Sequence, residues 1–280
     1  MALVQVVTDS LADIPEPMAQ ELGIHVVPTI VHFGEQSFRD KVELSADEFY
    51  RRLASSPVLP KTSQPPPSDF EELYCRLAAE TDQIISIHTA AGLTGIYSSA
   101  LTASQAVSGP RIAVIDSRQV TMALGWLVIA AARAARAGMG LDEIQALVTD
   151  MIPRAHVIAM LDTLVYAQRG GRLGKATVLL GTLLNVKPII RLEDEEVQPV
   201  ENVRTRRRGI ERIAQLVVAS GPVQHLAVCH AAARESAEEL KNVLAQALKT
   251  DDIVIGETGP VIGTHVGPNA VGACWVNGKI

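Results

Sequence analysis

The sequence predicts an α/β fold, with a helix-flanked parallel sheet in an N-terminal domain and a C-terminal α+β domain after it. Two observations carry this. Short continuous apolar, β-branched runs alternate with longer helical patterns through the first half, as expected of strands buried on both faces of a parallel sheet. In the second half, two strand-like runs, 187–192 and 196–200, flank acidic Glu193-Asp194-Glu195, which is a hairpin signal.

In chain order, strands are predicted at 3–7, 84–87, 112–115, 157–161, 226–229 and 253–255. Ser45-Ala46-Asp47-Glu48 reads as a capping box opening a helix through Leu53. Ser68-Asp69-Phe70-Glu71 reads as a second one, with its helix running through Ala79. The stretch 121–137 is Ala-rich and mostly apolar and predicts a well-buried helix. Gly138 and Gly140 separate it from the next, 141–151. The segment 26–40 predicts a small β insert, turning at Gly34-Glu35. The Pro-rich connection 55–67 holds five prolines, which fix φ and lower the entropy of ordering a loop. Pro153 ends a helix, which places the boundary between residues 1–152 and 153–280.

Composition narrows the function. Of 280 residues nearly half are apolar but only 4% are aromatic, so the core is aliphatic. The net charge of −6 gives no global field for nucleic acid. Cys75, Cys229 and Cys274 form no CxxC pair, which excludes zinc and thioredoxin-type readings and fits a reducing cytoplasm. The N-terminus lacks a signal-peptide pattern, since Asp9 interrupts it early. The longest apolar run, 122–132, stops at Arg133, short of the roughly 20 residues a bilayer span needs. The seven histidines show no ligand spacing, so neither a metal nor another cofactor is expected.

Three strings carry the candidate site: Thr62-Ser63-Gln64-Pro65, Leu93-Thr94-Gly95 and His265-Val266-Gly267-Pro268. They supply hydroxyls, an imidazole and loop amides, a neutral donor set suited to an anionic or polar headgroup. No carboxylate pair or Cys–His pair accompanies them, as acid/base chemistry would require. Thr94 could equally cap a following helix, and a helix N-terminus itself favours anions.

Other features have two readings each. Asp9-Ser10, Asp116-Ser117 and Asp162-Thr163 each follow an apolar run. They are capping and turn residues, or strand-end carboxylates for Mg²⁺. Strand ends are also where ligands bind in open α/β sheets, so Ser10 and Ser117 are candidate cavity residues. Gly170-Gly171-Arg172-Leu173-Gly174-Lys175 fails as a phosphate loop, because Arg169 and Ala176 stand where Gly and Ser or Thr are needed. It is a glycine turn between helices, or a close backbone approach with Arg172 meeting an anion. Arg204-Thr205-Arg206-Arg207-Arg208 precedes a helical run, where cations oppose the helix dipole. Its partners are Glu193–Glu196 and Glu201, or an anionic ligand or partner.

Taken in order, these strings resemble the DegV family. They are Val6-Val7-Thr8-Asp9-Ser10 with Ala12-Asp13-Ile14-Pro15, the Thr62 string, Leu93-Thr94-Gly95-Ile96-Tyr97, Asp116-Ser117, Gly170-Gly171-Arg172, Val203-Arg204-Thr205 and the His265 string. The resemblance runs from about residue 4 to residue 276. It implies two domains with a fatty acid between them. It implies a non-catalytic binding subunit that presents the carboxylate of a long-chain fatty acid such as palmitate to a separate ATP-dependent fatty acid kinase subunit. The product would be an acyl phosphate for phospholipid synthesis. By motif match Thr62 and Thr94 would contact the carboxylate, with Ser63, Gly95 and His265 beside them. Arg204, and Arg172 with it, would lie near the headgroup or the partner. The family string Ser-Gly-Thr reads Thr94-Gly95-Ile96 here, which keeps one hydroxyl and lacks the other. Two other functions stay open: a hydrolase or small-carbonyl kinase subunit using His265, and a lipid-sensing regulatory module using 204–208.

Overall fold

The first half of the chain builds a four-stranded parallel sheet in the order β2-β1-β6-β7. A computed structural model describes residues 4–179 and 186–279. Strand β1 (Gln5–Asp9) leads through helix α1 (Glu16–Leu22) to β2 (Ile24–Val27). The predicted insert is smaller than 26–40, because Val26 and Val27 pair with Thr8 and Asp9 in the parallel sheet. Only β3 (Ile30–Phe33) and β4 (Gln36–Arg39) form the hairpin. Pro28, with no amide proton to give, follows β2 directly.

Helix α2 (Ala46–Ser55) starts as predicted, with the Ser45 hydroxyl accepting from the Glu48 amide. The Pro-rich connection then yields a strand as well as a loop. Strand β5 (Lys61–Ser63) pairs with β3 and completes a three-stranded sheet. Its register sets Thr62 opposite Val31. Helix α3 (Pro67–Ala78) corrects the second capping box. Pro66 is its N-cap and Pro67 opens the helix, so Ser68 lies inside the first turn and caps nothing.

Strand β6 (Gln83–His88), helix α4 (Ile96–Ala106) and strand β7 (Arg111–Asp116) follow. Helices α5 (Thr121–Arg136) and α6 (Leu141–Met151) come next. Helix α5 is buried almost all round, as its composition predicts.

The second half builds a six-stranded sheet in the order β10-β9-β8-β13-β11-β12. Its strands are β8 (Ala155–Met160), β9 (Lys187–Glu193), β10 (Glu196–Val203), β11 (Val223–His230), β12 (Val254–Glu257) and β13 (Val271–Asn277). Only β11 and β12 run parallel in it. The predicted hairpin is β9–β10. Helix α7 (Val165–Arg169) ends at Gly170, and a 3-10 stretch, Gly174–Leu179, follows the glycine turn. Helices α8 (Arg206–Ala219), α9 (Arg234–Leu248) and α10 (Pro260–Val266) complete the fold.

The period-2 alternation of this sheet decides where a ligand can go. Ile158, Met160, Ile189, Val228, Val271, Ala273 and Trp275 pack with α8 and α9 in one core. The intervening residues on the same strands, among them Val157, Ala159, Ile190, Cys229, Gly272 and Cys274, line a cavity on the opposite face, which Ile158 and Val271 also border.

Candidate functional site

The cavity lies between the mixed sheet and the elements of the first half. Its empty volume, mouth included, is about 1220 Å³, above the roughly 300–1,000 Å³ usual for small-molecule pockets. Leu11, Val120, Leu161, Ala167, Leu192, Val197, Val261, Ile262 and Val266 add to its apolar lining. The register lays Ile190, Ala159, Gly272 and Cys229 side by side across β9, β8, β13 and β11. With Val197 on β10, five adjacent strands contribute, a width of about 19 Å at the usual strand spacing.

One polar cluster lies where the cavity meets β5, α7 and the loop after β6, while Thr29, Thr121, Arg191, His230 and Thr258 line it from other elements. Thr62, Ser63, Gln64, Thr94, Arg172 and His265 make up that cluster. Strand β5 delivers Thr62, and α10 delivers His265. Thr62 Oγ1 lies 3.1 Å from His265 Nε2. His265 Nδ1 is buried with no hydrogen-bond partner among the described residues. Burial, helped by the nearby Arg172 guanidinium, pushes the His265 pKa down to about 4. The imidazole is therefore neutral near pH 7. A neutral ring donating from Nε2 to Thr62 frees the Thr62 hydroxyl proton for an acceptor in the cavity. Ser63 Oγ is held by His32 Nε2 at 2.9 Å.

Two glycines let this cluster close. A side-chain carbon at Gly170 would sit 2.3 Å from His265 Nδ1. One at Gly95 would sit 2.5 Å from Gln64 Nε2. Gly95 is thus a spacer beneath Gln64 and is not itself among the lining residues. It is also the N-cap of α4, so Thr94 is no cap, and its hydroxyl is not committed to that role. Ile96, which stands at the family's second hydroxyl, is fully buried in the core.

Arg172 braces the loop bearing Thr94. Its Nε donates to Leu93 O at 3.2 Å and its guanidinium NH1 to Gly170 O at 2.8 Å. A second brace was not read from sequence. Glu195, at the β9–β10 turn, accepts from the Gly92 amide at 3.1 Å and from Arg118 Nε at 2.9 Å. The acidic triplet marked the turn, but nothing in its spacing pointed to Gly92.

Other expected site residues lie elsewhere. Ser10 is buried, bonding the hydroxyl and the amide of Thr29 and also reaching the Asp40 carboxyl. Ser117 is buried in a turn with Gln119. Neither lines the cavity. Arg204 is exposed and also outside the lining. The neighbouring arginines are paired, though not as expected. Arg206 meets Asp162 at 2.7 Å, while Arg207 and Arg208 meet Glu211. Of the expected partners only Glu201 pairs with an arginine of this helix, Arg212.

The strand-end aspartates hold structure. Asp9 accepts from the Leu11 and Thr89 amides, the Thr89 hydroxyl and His88 Nδ1. Asp162 binds Lys187 and Arg206. Among the described residues no group of three or more His, Cys, Asp or Glu could hold a metal ion. No helix among them is long and apolar enough to cross a membrane.

A family model described as "Uncharacterised protein, DegV family" matches residues 3–278. The chain belongs to the DegV family. Protein DegV of Bacillus subtilis is 35% identical over 276 residues, covering 97% of this chain and 98% of that one. A crystal structure of DegV from B. subtilis, described as a fatty acid binding protein, superposes with a TM-score of 0.89. Its identity is 34%, over 99% of this chain and 100% of that one. A DegV family protein from Thermus thermophilus, described by its fatty acid binding, gives a TM-score of 0.92. Its identity is 29%, over 98% of this chain and 99% of that one. The α/β class with its parallel sheet and second sheet agrees with these DegV structures.

Proposed function

We propose that the chain binds a long-chain fatty acid in this cavity and presents its carboxylate to a separate ATP-dependent kinase subunit, which forms the acyl phosphate. The observation that carries the reading is a large, mainly apolar cavity whose lining includes the neutral Thr62–His265 pair. Relatives described as fatty-acid-binding support the ligand class.

The energetics suit a carrier. A C16 acid buries roughly 14 methylenes at about 0.8 kcal/mol each, on the order of 11 kcal/mol before the costs of association. Hydrocarbon therefore supplies the affinity, and the headgroup needs only orientation and relief from desolvation. A bidentate arginine clamp would occupy both carboxylate oxygens. Hydroxyls from Thr62 and Thr94 leave one oxygen free to attack a phosphoryl group.

A hydrolytic role for His265 lacks the support such chemistry needs, because no carboxylate among the described residues orients its Nδ1. The test is reconstitution. Loaded protein, ATP and a fatty acid kinase subunit should yield acyl phosphate, and omitting any one should abolish it. Acid retained without acyl phosphate would reject the presenting role. Acyl phosphate formed from acid and ATP by the chain alone, or an acyl ester hydrolysed by it, would reject the non-catalytic one.

A further inference from the structure

Given the acyl-ligand reading above, on which this inference rests, the end of the cavity away from Thr62 and His265 sets the length of chain that fits. Of the headgroup residues, the loop bearing Thr94, with Arg172, lies near β9 and β10. Arg172 is bonded to Leu93, and Gly92 to Glu195 at the β9–β10 turn. From Ile190 the lining row crosses Ala159 and Gly272 and arrives at Cys229 on β11.

The next strand, β12, adds no residue to the lining, although Thr258 just after it does. Thr121 Oγ1 donates to Cys229 Sγ at 3.6 Å, and Cys274 Sγ lies 3.9 Å from the same sulfur. All three residues line the cavity, and none is more than 5% exposed. Thr121 opens α5 with φ at +50°. A β-branched residue holds that left-handed conformation only where its surroundings enforce it. Here Met122, Ala123 and Leu124, all fully buried, fix the helix start. The thiols act as packing groups. Cys229 faces Gly272 across the strands, and Cys274 faces Ala227. Such a diagonal pair is roughly 7–8 Å apart at the backbone, beyond ordinary disulfide reach.

We propose that Cys229, seated by Thr121 and Cys274, is the stop against which the methyl end of the acyl chain rests, and so the residue that determines chain length. A smaller side chain there admits longer acids, and a larger one excludes them. Each methylene that no longer fits lowers affinity roughly fourfold.

The test uses the full chain, stripped of lipid, as native protein, Cys229→Ala and Cys229→Leu. Each is offered an equimolar mixture of saturated C12 to C20 acids, and the bound acids are quantified by mass spectrometry. Melting curves establish that each variant is folded; should Cys229→Leu not fold, Cys229→Val replaces it. Cys229→Ala should shift the bound pool to longer acids. Cys229→Leu should deplete the longest acid the native protein accepts by roughly fourfold or more. An unchanged distribution in folded variants that still bind acid would overturn the chain stop alone. Binding by none of the three proteins would overturn the acyl-ligand reading beneath it.

Discussion

Thr62 and His265, 203 residues apart in sequence, meet at 3.1 Å through Oγ1 and Nε2. Strand β5 and helix α10 bring them together in the lining of a largely apolar cavity. In the proposed reading, a hydroxyl backed by a neutral imidazole would orient an anion without adding charge to it.

Removing the hydroxyls should separate binding from turnover. Thr62→Val with Thr94→Val leaves the hydrocarbon contacts in place, so the doubly substituted protein should retain bound lipid. Acyl-phosphate formation with a kinase subunit should fall by at least about a hundredfold if orientation is lost. Unchanged turnover would reject the role of both threonines.

His265 should titrate differently in stripped and loaded protein. An anion beside the ring favours its charged form, so acid binding should raise its pKa from about 4, measured by imidazole NMR shifts. The same depressed pKa fixes a stability window. Between pH 6.5 and about 4 the unfolded chain binds the extra proton, so this contribution is complete above pH 6.5 and is lost as pH falls through the window. A pKa unmoved by ligand would place the carboxylate elsewhere.

Gly170 is held small by the imidazole. In Gly170→Ala the new carbon would meet His265 Nδ1 at 2.3 Å, so ring or turn must move. Overpacking of this kind costs about 1–3 kcal/mol. The variant should melt lower and lose acyl-phosphate output more than lipid retention. Native behaviour in both assays would show that the turn yields freely.

Asp40 carries a second pH effect, of opposite sign. It is 1% exposed, and burial raises its pKa to about 7. Lys41 and a Ser10 hydrogen bond act against the rise, Asp13 adds to it, and the Val261 amide opposes it. The folded state thus holds the proton between pH 3.8 and about 7, and stability falls as pH rises through that window. Asp40→Asn should flatten this slope in thermal melts and raise the melting temperature at pH 8. A melting temperature at pH 8 no higher than native would show that ionised Asp40 is well tolerated.

Much of this architecture was legible because local pattern and global fold agree. The apolar runs at 84–87 and 112–115 became β6 and β7, and Ser45 caps α2. Thr62, Thr94 and His265 stood out through their Gly and Pro neighbours. Ser68 aside, what escaped depends on distant packing. Ser68 looks like a cap until Pro67 takes the first helical position. Ser10 and Ser117 sit at strand ends, but Thr29 and Asp40 engage the first and Gln119 the second. Cys229 and Cys274 read only as markers of a reducing compartment, since β11–β13 pairing alone brings their sulfurs together. Arg206 finds Asp162 across 44 positions, a pairing that no local charge pattern announces.

The most direct measurement is denaturing extraction of the purified chain followed by lipid mass spectrometry. A saturated or monounsaturated long-chain acid recovered near one equivalent per chain is the predicted result. Solvent-clean protein that also takes up no added C16 or C18 acid would contradict a greasy channel built to hold one.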